Sequence, residues 1–189
     1  MSNTLMKRVP RDELPEDLKE SWDFLNGRTR EPTFVEVFAQ SPELLKFVMH
    51  DFYQKIFYDG KVDLRYKELA RLKLSLQHGC NTCILQNLPG AKEAGFTQEQ
   101  IDAIDDYENG PFSEAEKALL QYVDQMVMTN LGGHMDETLY ARLKAHFSDT
   151  DILEIGTCMA VVGGMAKLSF VLDLVVKEDY CPFQPAAAE

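Results

Sequence analysis

A chain of 189 residues, 45 % of them apolar, is long enough to bury a substantial core as one domain without disulfides or metals to hold it together. With 31 acidic residues against 19 basic ones the formal charge is −12, which opposes nucleic-acid phosphates and anionic membranes, so neither is an expected partner. The start, Met1-Ser2-Asn3-Thr4-Leu5-Met6-Lys7-Arg8, lacks the continuous apolar stretch of a secretory signal, and the longest uncharged apolar run, 155–166, is shorter than the ~20 residues that cross a bilayer. A cytoplasmic chain is expected, in which the four cysteines read as buried residues, metal ligands or redox centres.

Nearly every segment fits a helical period and almost none an alternating one, so the expected fold class is all-α. A first helix follows Pro15, carries Leu18, Trp22 and Leu25 inward and stops at Gly27, where a left-handed cap is easy. A short helix follows Pro32. Ser41-Pro42-Glu43 opens another through Leu45, Val48 and Phe52 to Asp59-Gly60. Asp63 caps a helix that runs toward Gln77 and is interrupted at His78-Gly79, and a new helix begins near Cys80. Thr97-x-x-Gln100 and Ser113-x-x-Glu116 are capping boxes, so helices start at Gln98 and Glu114. Asp136 opens another, and a last long helix covers about 150–176, where Gly156, Gly163 and Gly164 permit close packing. The division expected is a helical extension over 1–31, a compact multi-helix domain over 32–178 and a mobile tail over 179–189.

Chemistry concentrates at Cys80-Asn81-Thr82-Cys83. Residues three apart on a helix share a face, so the two thiols can reach each other across one turn. A helix that starts at Cys80 turns unpaired N–H groups and a positive dipole end toward them, which stabilises a thiolate. The alternative is two small buried hydrophobes. Cys158 and Cys181 read as structural or incidental. Glu68 shares an apolar stripe with Leu64, Leu72 and Leu76, so its carboxylate is drawn from water; it is either a proton acceptor for a thiol or the ion-pair partner of Arg65 or Arg71. His78, two residues before Cys80, could lower the thiol pKa or relay its proton, or only cap the preceding helix.

Lys67-Glu68-Leu69-Ala70-Arg71-Leu72, then Cys80-x-x-Cys83, Ala91, Gly95 and Thr97-Gln98-Glu99-Gln100-Ile101 resemble the alkylhydroperoxidase D-like, or carboxymuconolactone decarboxylase, superfamily and its Glu-x11-Cys-x2-Cys-x3-His motif. The resemblance is specific over 52–104 and looser over 32–167. It implies an all-helical fold, a redox pair of Cys80 and Cys83, Glu68 as proton acceptor and assembly as a homo-oligomer, a trimer or hexamer. The departure is at Asn87, which stands where the family has its relay histidine, while Thr82 stands where some members place another. Asparagine can hold a water or orient a thiol but cannot take up a proton near neutral pH. Glu68 then works directly or through water, or His78 or His134 replaces the base. Pro89 removes a backbone bond within this helix.

The leading expectation is a thiol-dependent peroxide reductase or related disulfide oxidoreductase, needing no cofactor or resident metal. A thiolate opens the peroxide bond, the sulfenic acid is resolved as a disulfide, and a dithiol protein or lipoyl partner resets the pair. The helix end favours Cys80 as the attacking thiol; the resemblance implies Cys83, with Cys80 as the more exposed partner. Alternatives are lactone decarboxylation, which needs no dithiol, a metal module built from His78, Cys80, Cys83 and Glu68, and a helical interaction protein with a vestigial site.

Overall fold

The computed structural model describes residues 2–177; the expected tail and Cys181 lie outside the described residues. Among the described residues nine α-helices run in the order α1 (Glu16–Thr29), α2 (Thr33–Phe38), α3 (Pro42–Lys46), α4 (Leu64–Gln77), α5 (Asn81–Glu93), α6 (Gln98–Asp102), α7 (Glu114–Met126), α8 (Glu137–Lys144) and α9 (Asp149–Val171), with no strand. The capping boxes at Thr97 and Ser113 are both formed, and Asp63 and Asp136 cap α4 and α8. A third box, Ser148 with Asp151, starts α9.

Three boundaries differ from the sequence reading. Gly27 lies inside α1, and the left-handed residue is Arg30, at φ 56°. Arg28 explains the extra turn: it reaches the Gln86 carbonyl and Glu93 on α5, so tertiary contacts carry the helix past a permissive glycine. The segment after α3 is π-helical from Phe47 to Tyr58 rather than α-helical. Helix α9 ends at Val171 rather than near 176, because Asp173 turns left-handed at φ 51° and the following chain is pulled onto α5.

Helix α4 is the centre of the molecule. Every residue from Lys67 to Ser75 is buried, four of them charged, and a charge taken from water needs a partner. Lys67 pairs with Glu154 of α9 at 3.1 Å, Glu68 with Arg71 at 2.6 Å, and Lys73 with Asp124 of α7 at 2.6 Å. Around α4 the main core joins α5, α7, α8 and α9, while Leu14, Leu18, Leu25, Val35, Ala39 and Leu45 form a second cluster in the N-terminal layer. Of the three glycines in α9, only Gly156 meets a neighbour, the Tyr122 ring and hydroxyl; Gly163 and Gly164 leave open space beside them. Along its full length α9 has 23 residues and is apolar enough by length and composition to cross a membrane, which the count of uncharged residues alone did not bring out. Here its charged first turns are used in packing, since Glu154 also accepts the Lys61 and Val62 N–H groups.

Candidate active site

The turn between α4 and α5 builds the site. Gly79 takes φ 59°, which returns the chain sharply, and the Gly79 and Cys80 N–H groups satisfy the Leu76 and Ser75 carbonyls at 3.0 and 3.2 Å. Cys80 is thereby set as the N-cap of α5, where its Sγ accepts the Cys83 N–H at 3.2 Å. Cys80 and Cys83 are joined as a disulfide, with Cα atoms 5.2 Å apart. Thr82 ties the chain after α9 onto this turn: its hydroxyl accepts the Val176 N–H at 2.8 Å, and its own N–H meets the Val176 carbonyl at 3.2 Å. Phe170, Met128 and Val175 pack on the cysteines.

Exposure runs opposite to the expectation. Cys80 is fully buried, packed with Phe170, and Cys83 only partly, although both line one cavity. That cavity has a volume of about 520 Å³ and is mostly apolar, with walls from α1 (Phe24, Leu25), the π-helical segment (Tyr53, Tyr58) and α9 (Val162, Met165). Sequence reasoning missed these walls. Phe24 carried a faint signal, an apolar residue beside the inward stripe of α1, but nothing local tells that Tyr53 and Met165 converge with it.

The titratable residues separate. His78 is buried on the cavity wall, its Nε2 accepts the Met128 N–H at 3.2 Å, and burial pushes its pKa down to about 4, so it is neutral near pH 7. Asn87 lies one turn beyond Cys83 on the same cavity, with its amide donating to Ser75 Oγ at 2.6 Å; Ser75 in turn donates to the Arg71 carbonyl at 2.8 Å. This chain ends on backbone and offers no site for a proton.

Glu68 receives Arg71 through both carboxylate oxygens at 2.6–3.2 Å, whereas Arg65 goes to Glu116 and the Ala94 carbonyl. Burial outweighs the pull of Arg71, so the Glu68 carboxyl is held above its ordinary range. The carboxylate lies against Gly90, where an added Cβ would stand 2.9 Å from Oε2, and it lines a neighbouring cleft rather than the cysteine cavity. The two spaces share Phe24, Tyr58 and Gln86 as a common wall.

Other residues fall away from the site. His134 is exposed in the loop before α8, near the Gly132 carbonyl. Cys158 is buried against Phe52 and Phe57, and burial raises its thiol pKa to about 11, so it is an inert core residue. No group of three His, Cys, Asp or Glu side chains suited to a metal ion occurs among the described residues, so His78, Cys80, Cys83 and Glu68 are not gathered as the four-ligand metal reading requires. Pro89 is accommodated inside α5; the carbonyl it leaves without a partner belongs to Leu85, an exposed residue.

Comparison with known proteins finds a partial family match and a shared fold. Residues 42–125 match the carboxymuconolactone decarboxylase family. The debrominase Bmp8, as a cysteine-to-alanine variant in complex with 2,3,4-tribromopyrrole, shares the fold at TM-score 0.74 and 17 % identity over 95 % of both chains. A peroxidase-related alkylhydroperoxidase AhpD core protein of Ralstonia eutropha aligns at TM-score 0.70 and 15 % identity over 90 % of both. The Agrobacterium tumefaciens protein ATU0492, of unknown function and described as a candidate antioxidant defence protein AhpD, aligns at TM-score 0.62 and 23 % identity over 71 % of this chain and 91 % of its own. The uncharacterized protein YdfG of Bacillus subtilis is 22 % identical over 139 residues, 73 % of this chain and 92 % of its own. The match to the carboxymuconolactone decarboxylase family takes in the helices that carry Cys80 and Cys83, 84 residues of 189, and the solved structures show that this chain shares the AhpD-like helical fold.

Proposed function

We propose that this chain is a thiol-dependent peroxide reductase whose substrate is an organic hydroperoxide. One observation carries the reading: Cys83, paired with Cys80 at the start of α5, opens on an apolar cavity of about 520 Å³. A space of that size and lining suits a small organic molecule, whereas hydrogen peroxide, little larger than water, would leave apolar walls wet. Cys83 lies in the first turn of α5, where the helix dipole favours the thiolate. Its sulfur attacks the distal peroxide oxygen, forming a sulfenic acid and expelling an alkoxide. Cys80 then displaces water from that sulfur to close the disulfide, and a dithiol protein or lipoyl group reduces the pair again. The partly exposed position of Cys83 supports it as the attacking residue and buried Cys80 as the resolving one.

The test is to count thiols in the reduced protein before and after one equivalent of cumene hydroperoxide. Two thiols should disappear, and Cys80→Ser should trap a sulfenic acid on Cys83 while Cys83→Ser traps none. Retention of both thiols would retire the reading.

Reductive dehalogenation of an aromatic ring is the second reading, supported by the likeness in fold to a debrominase and by the aromatic cavity wall. There a thiolate takes the halogen, the ring carbon takes a proton, and Cys80 expels halide as the disulfide forms. Bromide release matching thiol loss with a bromopyrrole, and none with a hydroperoxide, would select it. Lactone decarboxylation would instead survive conversion of both cysteines to serine. We further propose a homo-oligomer, trimer or hexamer, to which the exposed side of α9 with Leu153 and Val171 would contribute; light scattering should give a multiple of 21.5 kDa.

A further inference from the structure

The peroxide reaction leaves one proton without a source. Opening the O–O bond expels an alkoxide into an apolar cavity, and the candidates named from the sequence are engaged elsewhere: His78 holds the Met128 N–H, Asn87 holds Ser75, and Glu68, in the neighbouring cleft, holds Arg71.

Tyr53, with Tyr58 and Ser169, is a protic side chain on that wall with no role so far, and of the three it is the one stacked beside Arg71. It sits in the π-helical segment, whose wider turn brings residues four and five apart onto one face, so Tyr53, Phe57 and Tyr58 cluster with ring centroids 5.6 and 6.3 Å from Tyr53. In an α-helix Tyr53 and Tyr58 would point about 140° apart at 3.6 residues per turn. Phe52 and Phe57 pack edge-on against the Tyr53 ring and fix its direction. Tyr53 is partly exposed and lines the cavity that Cys83 also lines. The buried Arg71 guanidinium approaches this ring, its Cζ 5.9 Å from the centroid, and its charge acts on the phenol.

We propose that Tyr53 is the general acid of the reaction, donating its phenolic proton to the alkoxide oxygen as the peroxide bond breaks. The inference rests on the peroxide reading above and adds to it the residue that completes the proton balance. The Cys83 thiolate supplies the electron pair for the new S–O bond, and the O–O pair leaves on the alkoxide. Tyr53 protonates that oxygen to release an alcohol, and its transient phenolate recovers the proton that Cys83 gave to solvent on ionising. Arg71 is suited to hold that phenolate, because a fixed positive charge beside a buried oxyanion acts at low dielectric without reorganising. The charged and titratable groups acting on Tyr53 are Arg71 and Glu68 from α4 and Tyr58 from its own segment. Burial raises the Tyr53 pKa, so the phenol is a proton donor throughout the neutral range. On this view the Glu68–Arg71 pair supports the acid, and Glu68 is the counter-charge that lets Arg71 remain buried.

Leaving-group dependence tests the assignment. Tyr53→Phe removes only the hydroxyl and keeps the ring packing. Disulfide formation with tert-butyl hydroperoxide, whose alkoxide needs a proton, should slow about 100-fold. With peracetic acid, whose acetate leaves unaided, the rate should stay within about threefold of the native one, the residual allowance for altered packing. Equal slowing of both reactions, or of neither, overturns the proposal. A native protein that loses no thiols to either oxidant removes the peroxide reading itself, and this inference with it. Should the variant fail to fold, the native protein still decides: a solvent deuterium effect is expected on the alkyl hydroperoxide reaction and not on the peracid one, and its absence from both refutes Tyr53 as acid.

Discussion

Replacing Glu68 by glutamine distinguishes a proton acceptor from the counter-ion of a buried arginine. Both members of the pair are nearly sealed from solvent, at 2 % and 4 % exposure, so the substitution leaves the Arg71 charge buried without its partner. Breaking a buried pair from one side costs ~3–5 kcal/mol, and the lower figure applies because the glutamine carbonyl keeps one hydrogen bond to Arg71. At ~2–4 °C per kcal/mol for a chain of this size, the melting temperature should fall by roughly 6–12 °C. Glu68→Gln combined with Arg71→Met should recover most of that loss, since a neutral pair of similar volume removes both charges. The effect on the thiol has a definite sign. Glu68 lies against Gly90, seven residues or ~10 Å along α5 from Cys83, too far for direct proton transfer, and deleting its charge leaves the Arg71 cation uncompensated. The Cys83 pKa, followed by thiolate absorbance against pH, should therefore stay or fall. An unchanged melting temperature with a raised thiol pKa and a ~100-fold slower reaction, the mark of general-base loss, would refute this reasoning and make Glu68 the acceptor.

Gly90→Ala should destabilise the protein by ~1–3 kcal/mol by overpacking, although alanine ordinarily strengthens a helix, because the new Cβ meets a carboxylate that Arg71 holds in place; the urea midpoint reads the sign. His78 titrates near 4 when folded and at the ordinary 6.5 when unfolded, so its contribution is complete above pH 6.5 and lost as pH falls toward 4. At 1.36 kcal/mol per unit this amounts to roughly 3 kcal/mol, and His78→Gln should flatten that part of the stability curve in melts taken across the window. Thr82→Val strips the acceptor from the Val176 N–H, which should cost ~1–3 kcal/mol and let a neutral alkylating agent reach reduced Cys80 faster than in the native protein. Asn87→His places a base one turn from Cys83; burial will keep it neutral at pH 7 and able to accept the thiol proton, so thiolate formation should quicken, and an unchanged rate and pH profile would argue against that geometry.

Much of the fold was legible because its signals are local. Asp63, Thr97, Ser113 and Asp136 each cap within three residues, so α4, α6, α7 and α8 begin where the sequence places them. Ser148 with Asp151 belongs to the same class and passed unread, since aspartate replaces the usual glutamate of the box. The errors fall where distant contacts decide. Arg28 on α5 carries α1 beyond Gly27, Thr82 draws the chain away after α9, and no short-range pattern marks the π-helical turn at 47–58.

The site divides along the same line. Its dithiol is a property of one turn, and the helix start that gives the pair its character was visible from Gly79 and Cys80 alone. What surrounds the dithiol was not, because the partner of each polar group comes from elsewhere in the chain: His78 is answered by Met128 and Thr82 by Val176. Glu68 shows how much this matters, for its burial was evident from the leucine stripe, yet the guanidinium that occupies it decides what it can do. Burial holds its pKa up despite Arg71, but the carboxylate lines the neighbouring cleft and not the cysteine cavity, so it is placed to hold the cation and not to meet the thiol. Asn87 is held by Ser75 and Glu68 by Arg71, so each is committed to a partner other than the dithiol. If the chain reduces peroxides as proposed, the acid–base chemistry falls to the departing oxygen, beside Tyr53, the cavity residue that Arg71 approaches.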